Sequence, residues 1–452
     1  MSLKYIINGY IEPINIEILQ FLNIKELCEL MLVNKFMNQR AHKVPVEYYL
    51  DNLELKAYNQ YAKTFPNAKS LNIVKDESID FQDPNLFNRM RNLRSLQILQ
   101  SGLCFTSLCR LERLVVSKLT NIEQYLPLLP TRNSLSFLKI DYCREEERNE
   151  NFTYVDISQF VPNLQTLHIR YRNIPFNYLD NFTNIVELCL VWCQNITSES
   201  FKYLTKLERL YARDNGITDD AFMYLPNLKL LHFEGEDITD GAFKYLPKLE
   251  TLNLKLKNCT RHNGEQLIKE DGFKYLINLK NLTIYNSCSR PLDITSNIFT
   301  VLPKLKSLNL HCCDSMINKD TFDLLPELDY MEIDFGYYDE PIICEKNIFS
   351  KLKVKHLALD RAFRHITRKD LKDLMKNGMQ TLNIIKESYA DSRFSPVFQE
   401  KIVLTGKDIL RFFKIKKINK IKNLESRNMK LKKIQKCNKR LTKKPYFNLF
   451  SV

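Results

Sequence analysis

One phrase recurs in the middle of this 452-residue chain and limits the folds that the chain can adopt. A Leu-x-Leu-like motif begins at Leu188, Leu210, Leu231 and Leu252, in steps of 21 or 22 residues. A second phrase, Ile-Thr-Asp-x-Ala-Phe-x-Tyr-Leu-Pro, occupies 217–226 and 238–247, between these motifs. Self-similarity at a period of 20–30 residues predicts a solenoid.

The two sequence motifs have a direct physical interpretation. The Leu-x-Leu alternation places two apolar side chains on one face of a short strand and the residue between them on the other. The Thr after the Ile is the predicted N-cap of a helix, whose first turn holds Asp219 and Asp220, where the helix dipole favours acids. Phe222 and Leu225 share one helical face, and Pro226 ends the helix. Because a helix of about two turns is unstable alone, we expect neighbouring repeats to stabilise it.

This pattern resembles a leucine-rich repeat of the variety with Cys or Asn after the strand. That position holds Cys143, Cys193, Asn215 and Cys313, whereas Arg172, Glu236 and Lys257 occupy it in other repeats. Further motifs begin at Leu71, Leu96, Leu114, Leu138, Leu167, Leu282, Leu308, Met331, Leu357 and Leu382, which gives fourteen predicted strands. The resemblance implies an α/β solenoid, a horseshoe with a parallel sheet on its concave face.

Four segments follow from these patterns. We predict a small helical segment over residues 1–45, a connecting segment over 46–64, leucine-rich repeats over 65–404 and a basic tail over 405–452. The tail holds 16 Lys and Arg but 2 Asp and Glu, whereas the other residues balance at 51 of each sign, so that the tail carries the whole excess of +14. A stripe of apolar residues from Ile409 to Leu424 predicts a helix that caps the last repeat. The tail is also predicted to make weak contacts with anionic partners, or to serve as a nuclear-import signal.

Residues 1–45 have two interpretations. In the first they form a helical cap on the repeats. In the second they resemble an F-box, because Pro13, Glu17, Ile18, Leu19, Leu22, Leu27, Leu30, Val33 and Lys35 match that motif in order and spacing, while Glu12, Asn34 and Met37 depart from it. An F-box directly before leucine-rich repeats is the layout of substrate adaptors of SCF-type ubiquitin ligases. The resemblance implies docking on the cullin-linking subunit through Pro13, Ile14, Ile18, Leu19, Leu22, Leu27, Leu30 and Val33.

Motifs that would indicate catalysis or metal binding are missing from the sequence. The seven His form no His-x-x-His pair, the twelve Cys lack zinc-ligand spacing, and neither a nucleophile elbow nor a P-loop is present. We therefore expect no enzyme activity, no cofactor and no metal. We also expect no membrane span and no signal peptide, and reduced thiols are typical of a protein of the cytoplasm or nucleus.

The remaining candidate site is the concave face, formed by the residues that alternate with the inward leucines. The candidate partner-binding residues are Arg170, Tyr211, Arg213, His232, Glu234, Asn253, Lys255, Tyr285, His311, Glu332, Asp334 and Asp360. Tyr and Arg are common interface residues, and the sign of the charge changes along the array, which favours an extended protein partner. The sequence thus leaves three hypotheses: a ligase adaptor that captures an unknown protein substrate, an interaction scaffold without a ligase, and nucleic-acid binding through the tail.

Overall fold

The computed structural model describes most of the repeat region in two compact units, Met1–Leu249 and Glu250–Val452. The residues that it describes are 47–51, 68–75, 92–98, 108, 110–117, 126–129, 134–141, 156–174, 177–256, 267–286, 292, 294–313, 316–317, 320–334, 348–359, 366–387, 399–405 and 409. The predicted ligase-docking residues, Asp360 and the apolar stripe beyond Ile409 lie outside these ranges.

Each unit is built from short strands that pair in chain order. The strands of the first unit are β1 Glu47–Asp51, β2 Ser70–Lys75, β3 Ser95–Ile98, β4 Arg113–Ser117, β5 Phe137–Asp141, β6 Thr166–Asn173, β7 Glu187–Gln194, β8 Arg209–Arg213 and β9 Leu230–Gly235. Those of the second unit are β10 Thr251–Leu256, β11 Asn281–Asn286, β12 Ser307–His311, β13 Leu328–Asp334, β14 Val354–Leu359, β15 Thr381–Glu387 and β16 Gln399–Thr405. All fourteen predicted strands are confirmed as β2–β15.

The register of the parallel strands stacks equivalent residues of successive repeats. Leu188 of β7 pairs with Leu210 of β8, which pairs with Leu231 of β9. These leucines are fully buried, as are their counterparts Leu252 and Leu308 in the second unit. The alternation of buried and part-exposed residues along each strand therefore follows the period of two that the sequence predicts. Each unit is a leucine-rich-repeat solenoid, as predicted.

The segments between the strands are mostly 3-10 helices, which corrects the prediction of two-turn helices. They span Leu126–Leu128, Ser158–Phe160, Ser198–Phe201, Asp219–Tyr224, Asp240–Tyr245, Glu270–Tyr275, Ser296–Val301 and Ile348–Lys351. Two α-helices are described over their full length, α1 Thr321–Leu324 and α2 Arg368–Lys376, and Ile409 is also helical. In the repeat after β8, the N–H of Leu225 bonds to the carbonyl of Phe222, three residues back. With so few residues between the Thr cap and the next strand, the tighter helix fits where two α-turns would not.

A ladder of phenylalanines fills the core between the strands and these helices. Phe201, Phe222 and Phe243 in the first unit, and Phe273 and Phe299 in the second, are the largest fully buried side chains among the described residues. In each of these five repeats the Phe is the fourth residue of its 3-10 helix. The neighbouring side chains Tyr203 and Met223 face solvent, with 46% and 45% of their surface exposed.

The predicted Thr caps occupy their N-cap positions, and the one at Thr239 is linked to the preceding repeat. Thr218 holds its N-cap position without a side-chain hydrogen bond to the helix. Thr239 caps the helix Asp240–Tyr245, and its Oγ1 accepts a hydrogen bond from the N–H of Gly241. Asp219 of the preceding repeat accepts hydrogen bonds from the backbone N–H of Thr239, at 2.7 Å, and from its hydroxyl. The acid that follows each cap therefore stabilises the next repeat as well as its own helix.

We expect Asp219→Ala to lower the free energy of unfolding by about 1–3 kcal/mol, because the part-buried N–H and hydroxyl of Thr239 would lose their acceptor. Asp220→Ala removes the adjacent, exposed acid and is the matched control. Urea unfolding of the two variants measures the difference. Equal effects would show that the link between repeats does not contribute.

Strands at the two ends of the repeat array lie outside the predicted pattern. β1 falls within residues 46–64, which the sequence analysis assigned to a connecting segment, and it pairs in parallel with β2. β16 pairs with β15 in the antiparallel direction and extends to Thr405, the first residue of the predicted tail. β16 carries an alternation of its own, since Ile402 and Leu404 pair with Ile384 and Leu382 of β15. Ile409, the first residue of the apolar stripe predicted to cap the last repeat, is fully buried. No helix among the described residues is long and apolar enough to cross a membrane.

Candidate functional site

The side chains that alternate with the buried leucines form one face of the sheet in each unit, which we call the strand face. In the first unit, the strand face of β4–β9 consists of Arg113, Val115, Ser117, Phe137, Lys139, Asp141, Thr166, His168, Arg170, Glu187, Cys189, Val191, Arg209, Tyr211, Arg213, Leu230, His232 and Glu234. All predicted partner-binding residues that the structure describes lie on a strand face.

One polar cluster of the first unit centres on Asp141. Its Oδ2 accepts a hydrogen bond from the hydroxyl of Ser117 at 3.2 Å and lies 3.3 Å from Nζ of Lys139. Nε of Arg170 lies 3.8 Å from its Oδ1. Register explains the cluster, because Ser117, Asp141 and Arg170 are paired positions on β4, β5 and β6. Asp141 therefore compensates two cations at once.

A second cluster runs from β4 to β8 at the level of Glu187. The guanidinium of Arg113 lies 3.4 Å from the ring centre of Phe137, which contacts the ring of His168 edge-on at 5.1 Å. Nε2 of His168 donates to Oε1 of Glu187 at 3.0 Å, and Nε of Arg209 donates to Oε2 at 2.7 Å. Five side chains, one from each of the strands β4 to β8, thus form a continuous series of contacts.

The cluster changes the protonation of its members. Burial lowers the pKa of His168 below its ordinary value of 6.5, and this outweighs the attraction of Glu187. His168 is therefore neutral at pH 7, and its contact with Glu187 is a hydrogen bond rather than an ion pair. Burial alone would raise the pKa of Glu187, but the hydrogen bonds from Arg209 and His168 lower it below 4.5.

These two shifts predict acid destabilisation. Both groups bind fewer protons in the folded than in the unfolded chain, so stability rises with pH across each window. We expect the free energy of unfolding to fall as the pH drops below about 6.5, through His168, and again below about 4.5, through Glu187. In His168→Gln the first decline should flatten while the second persists, as measured by urea unfolding from pH 8 to 4 in about unit steps. An unchanged slope between pH 7 and 5 would contradict the assignment to His168.

Trp192, the only tryptophan of the chain, lies just beyond the strand-face positions of β7. The guanidinium of Arg213 lies 4.5 Å from the centre of its ring, and Nε of Arg213 lies 3.2 Å from Oε2 of Glu234. Glu234 is buried, with 4% of its surface exposed. Arg213 and Glu234 are among the predicted partner-binding residues but Trp192 is not, because the Leu-x-Leu pattern does not indicate which side the residues after the motif take.

The backbone at Trp192 adopts the left-handed conformation, with φ of 53°. Asp214 and Cys312 occupy the same place in other repeats and have φ of 52° and 53°. The chain turns there because the next residue is held inward: the N–H of Cys193 donates to the side chain of Asn215, which in turn donates to the carbonyl of Leu190. This turn is a property of the repeat, but a bulky side chain fits it poorly.

The strand face of the second unit holds contacts of aromatic side chains with basic and acidic ones. Nζ of Lys255 lies 5.4 Å from the ring centre of Tyr285, which stacks on His311 at 5.7 Å. Nδ1 of His311 lies 3.8 Å from Oδ2 of Asp334. The hydroxyl of Tyr330, on the same face, donates to Glu332 at 2.5 Å, and burial together with this bond raises the pKa of Tyr330. Asn253, the remaining predicted residue of this unit, pairs with Thr283 on the same face.

The thiols of the described residues serve the fold. Cys193 and Cys313 are buried, and their Sγ atoms donate to the carbonyls of Ile169 and Ile284, each at 3.4 Å. Burial raises the pKa of Cys189 to about 11, which leaves it protonated and unreactive at neutral pH. No group of three or more His, Cys, Asp or Glu that could hold a metal occurs among the described residues.

No protein-family model and no curated protein sequence matches the chain. Solved structures similar to it include an internalin (inlF) of Listeria monocytogenes, with 16% identity, a TM-score of 0.39, and coverage of 61% of this chain and 76% of that one. A chain of the Toll–Spatzle complex of Drosophila has 15% identity and a TM-score of 0.42, with coverage of 77% and 51%. A chain of the yeast Rad7–Elc1 complex has 16% identity and a TM-score of 0.41, with coverage of 81% and 89%. Likeness at these identities concerns the fold alone.

Proposed function

We propose that this chain is a non-catalytic protein-interaction scaffold that binds its partner on the strand face. The observation that carries the proposal is Trp192, which projects from a left-handed backbone beside Arg213. Gly, Asn or Asp would occupy that turn without strain, whereas a bulky residue costs about 1–3 kcal/mol. A tryptophan and an arginine at the margin of an ordered polar face are the residue types that contribute most to protein interfaces.

The side chains of the strand face are held in place by one another, which supports the same function. Side chains that are already held by their neighbours lose little conformational entropy when a partner binds. Asp141 and Glu187 each hold two basic groups in place, and Tyr211 stacks on His232 at 6.0 Å between their ring centres. The strand face is therefore a preformed surface.

A comparison of two double variants tests this function. Tyr211→Ala with Trp192→Ala alters the strand face, while Tyr203→Ala with Met223→Ala removes two large exposed side chains from the segments between the strands. Full-length tagged chains are used to capture partners from native extract, and the bound proteins are quantified by mass spectrometry. We expect the first pair to lose the specific partners and the second pair to retain them. The reverse outcome, with both variants folded, would place the binding site elsewhere.

We further propose that the scaffold is a substrate-recruiting adaptor of an SCF-type ubiquitin ligase, with the strand face as the substrate site. Support comes from the F-box-like match of residues 1–45 and from its position directly before leucine-rich repeats. The docking residues would be Pro13, Ile14, Ile18, Leu19, Leu22, Leu27, Leu30 and Val33. In a pull-down scored for the cullin-linking subunit, Leu22→Asp is expected to abolish binding, because a charge cannot be buried in an apolar interface.

The same experiment separates the adaptor from its rival, a scaffold without a ligase. Lys43→Asp, which also adds negative charge to this segment but lies outside the motif, is the control, and urea unfolding verifies that the repeats remain folded. A wild-type chain that does not capture the linking subunit would exclude the adaptor and leave the scaffold. Nucleic-acid binding through the basic tail remains a third proposal, supported by the net charge of +14 over residues 405–452.

A further inference from the structure

The strand face of the first unit carries more cations than anions. Its positions on β4–β8 include five basic residues and two acids; the basic residues are Arg113, Lys139, Arg170, Arg209 and Arg213, and the acids are Asp141 and Glu187. Arg213 is compensated from outside this set, by Asp214 at 3.6 Å and by Glu234 at 3.2 Å. Four cations then remain against two carboxylates.

The geometry shows how the two carboxylates are shared. Asp141 lies between Lys139 and Arg170, at 3.3 and 3.8 Å, so that one carboxylate faces two full positive charges. Glu187 is occupied by Arg209 and by the neutral His168. Each of the two carboxylates is thus shared between neighbours, and Glu187 acts on Arg113 only through space.

Arg113 adds a cation at the β4 end of this surface. Its guanidinium rests on the ring of Phe137 at 3.4 Å, and no carboxylate among the described residues forms an ion pair with it. A guanidinium stacked on an aromatic ring keeps its N–H groups at the edge, where they can donate to an oxygen anion. Arg113, Lys139 and Arg170 therefore place three cations on three adjacent strands.

We propose that this surface binds an acidic, extended segment of a protein partner, whose carboxylates bond to Arg113, Lys139 and Arg170. The proposal rests on the proposed function and specifies the chemistry of its partner. Neighbouring strands are about 4.8 Å apart, and an extended peptide advances about 3.3 Å per residue. The register places each of the three cations two residues further along its strand than the one before, so successive cations lie about 8 Å apart. Acids two or three residues apart on an extended peptide that crosses the strands obliquely, about 7–10 Å, would therefore meet successive cations.

The acids on the face favour a protein over a nucleic acid. Double-stranded DNA carries one negative charge per about 1.7 Å, so its backbone would pass close to Asp141, Glu187 and Glu234 as well as to the cations. A peptide can place neutral or basic residues opposite those carboxylates and acids opposite the arginines. Such complementarity confers specificity and accelerates association.

The test uses the full-length chain and a labelled peptide of alternating Asp and Ser that carries a photo-crosslinking residue. An Asn-Ser peptide is the neutral probe, and a single-stranded oligothymidylate of equal charge is the nucleic-acid probe. We expect the acidic peptide to bind, and Lys139→Glu with Arg170→Glu to weaken binding at least about tenfold, which equals 1.4 kcal/mol. Lys229→Glu reverses an exposed lysine outside this surface and should leave binding unchanged.

Crosslinks locate the site and separate it from the basic tail. We expect them in 113–117, 137–141 and 166–170, and we expect the double reversal to remove them. Crosslinks confined to 405–452, or oligothymidylate that binds as tightly with the same dependence on Lys139 and Arg170, would overturn the proposal. If the charge-reversed chain does not fold, Lys139→Gln with Arg170→Gln replaces it, and unchanged binding there has the same meaning.

Failure of this inference differs from failure of the proposed function. If Tyr211→Ala with Trp192→Ala loses the native partners while the charge variants keep them, the strand face remains the binding site and only the acidic partner is excluded. If both sets keep every partner, the strand face itself is excluded.

Discussion

Phe222→Ala is expected to lower the free energy of unfolding by about 3–5 kcal/mol, because the ring is fully buried and its removal leaves a cavity. The loss should be large for a repeat protein, since each repeat is stabilised by contacts with its neighbours, and a defect in one weakens two interfaces. Urea unfolding followed by circular dichroism measures the change.

Met223→Ala is the matched control for this substitution. Met223 follows Phe222 in the same 3-10 helix, but 45% of its surface is exposed, so its truncation should have little effect. A similar loss for both variants would mean that the burial of the phenylalanine does not set the stability of the repeat.

Arg213→Met is expected to cost about 3 kcal/mol, because it leaves the carboxylate of Glu234 buried without its cation. The side chain of Glu234 is 5% exposed and that of Arg213 is 35% exposed, so the figure lies at the low end for buried pairs. The cation–π contact with Trp192 is lost at the same time. Urea unfolding at pH 7 provides the measurement.

A double-mutant cycle isolates the contribution of the buried charge. Glu234→Gln in the Arg213→Met background should restore much of the stability, since the neutral amide tolerates burial better than the carboxylate. Lys229→Met breaks the exposed pair with Glu208 and should leave stability nearly unchanged. Strict additivity of the two substitutions would show that Arg213 does not act through Glu234.

The order of the strands and the content of the core were predictable from the sequence. The alternation around Leu188, Leu210 and Leu231 is a local pattern, and an apolar side chain in that pattern has one favourable face whatever its neighbours are. The Thr caps were predictable for the same reason, because the bond from Gly241 N–H to Thr239 spans two residues. Such features depend on neighbours in the chain, which the sequence displays directly.

The helix type and the two end strands were not predictable from the sequence, because they depend on tertiary contacts. Whether Asp219–Tyr224 winds as a 3-10 or an α-helix depends on the distance to the next strand, which the packing of the repeats sets. β1 and β16 form because an adjacent strand offers unpaired backbone groups, and the sequence of Glu47–Asp51 alone does not reveal that partner.

The sequence by itself determined which side chains lie on the strand face, through the period of two, and only the tertiary structure decided how they interact. Asp141 reaches Arg170 and Glu187 reaches Arg209 across intervals of 29 and 22 residues, because register brings those strands side by side. The turn that holds Trp192 in the left-handed region is likewise decided by Asn215 of the following repeat. Contacts between repeats depend on the length of each insertion and on hydrogen bonds to the backbone, and neither is encoded in the local pattern that marks a strand.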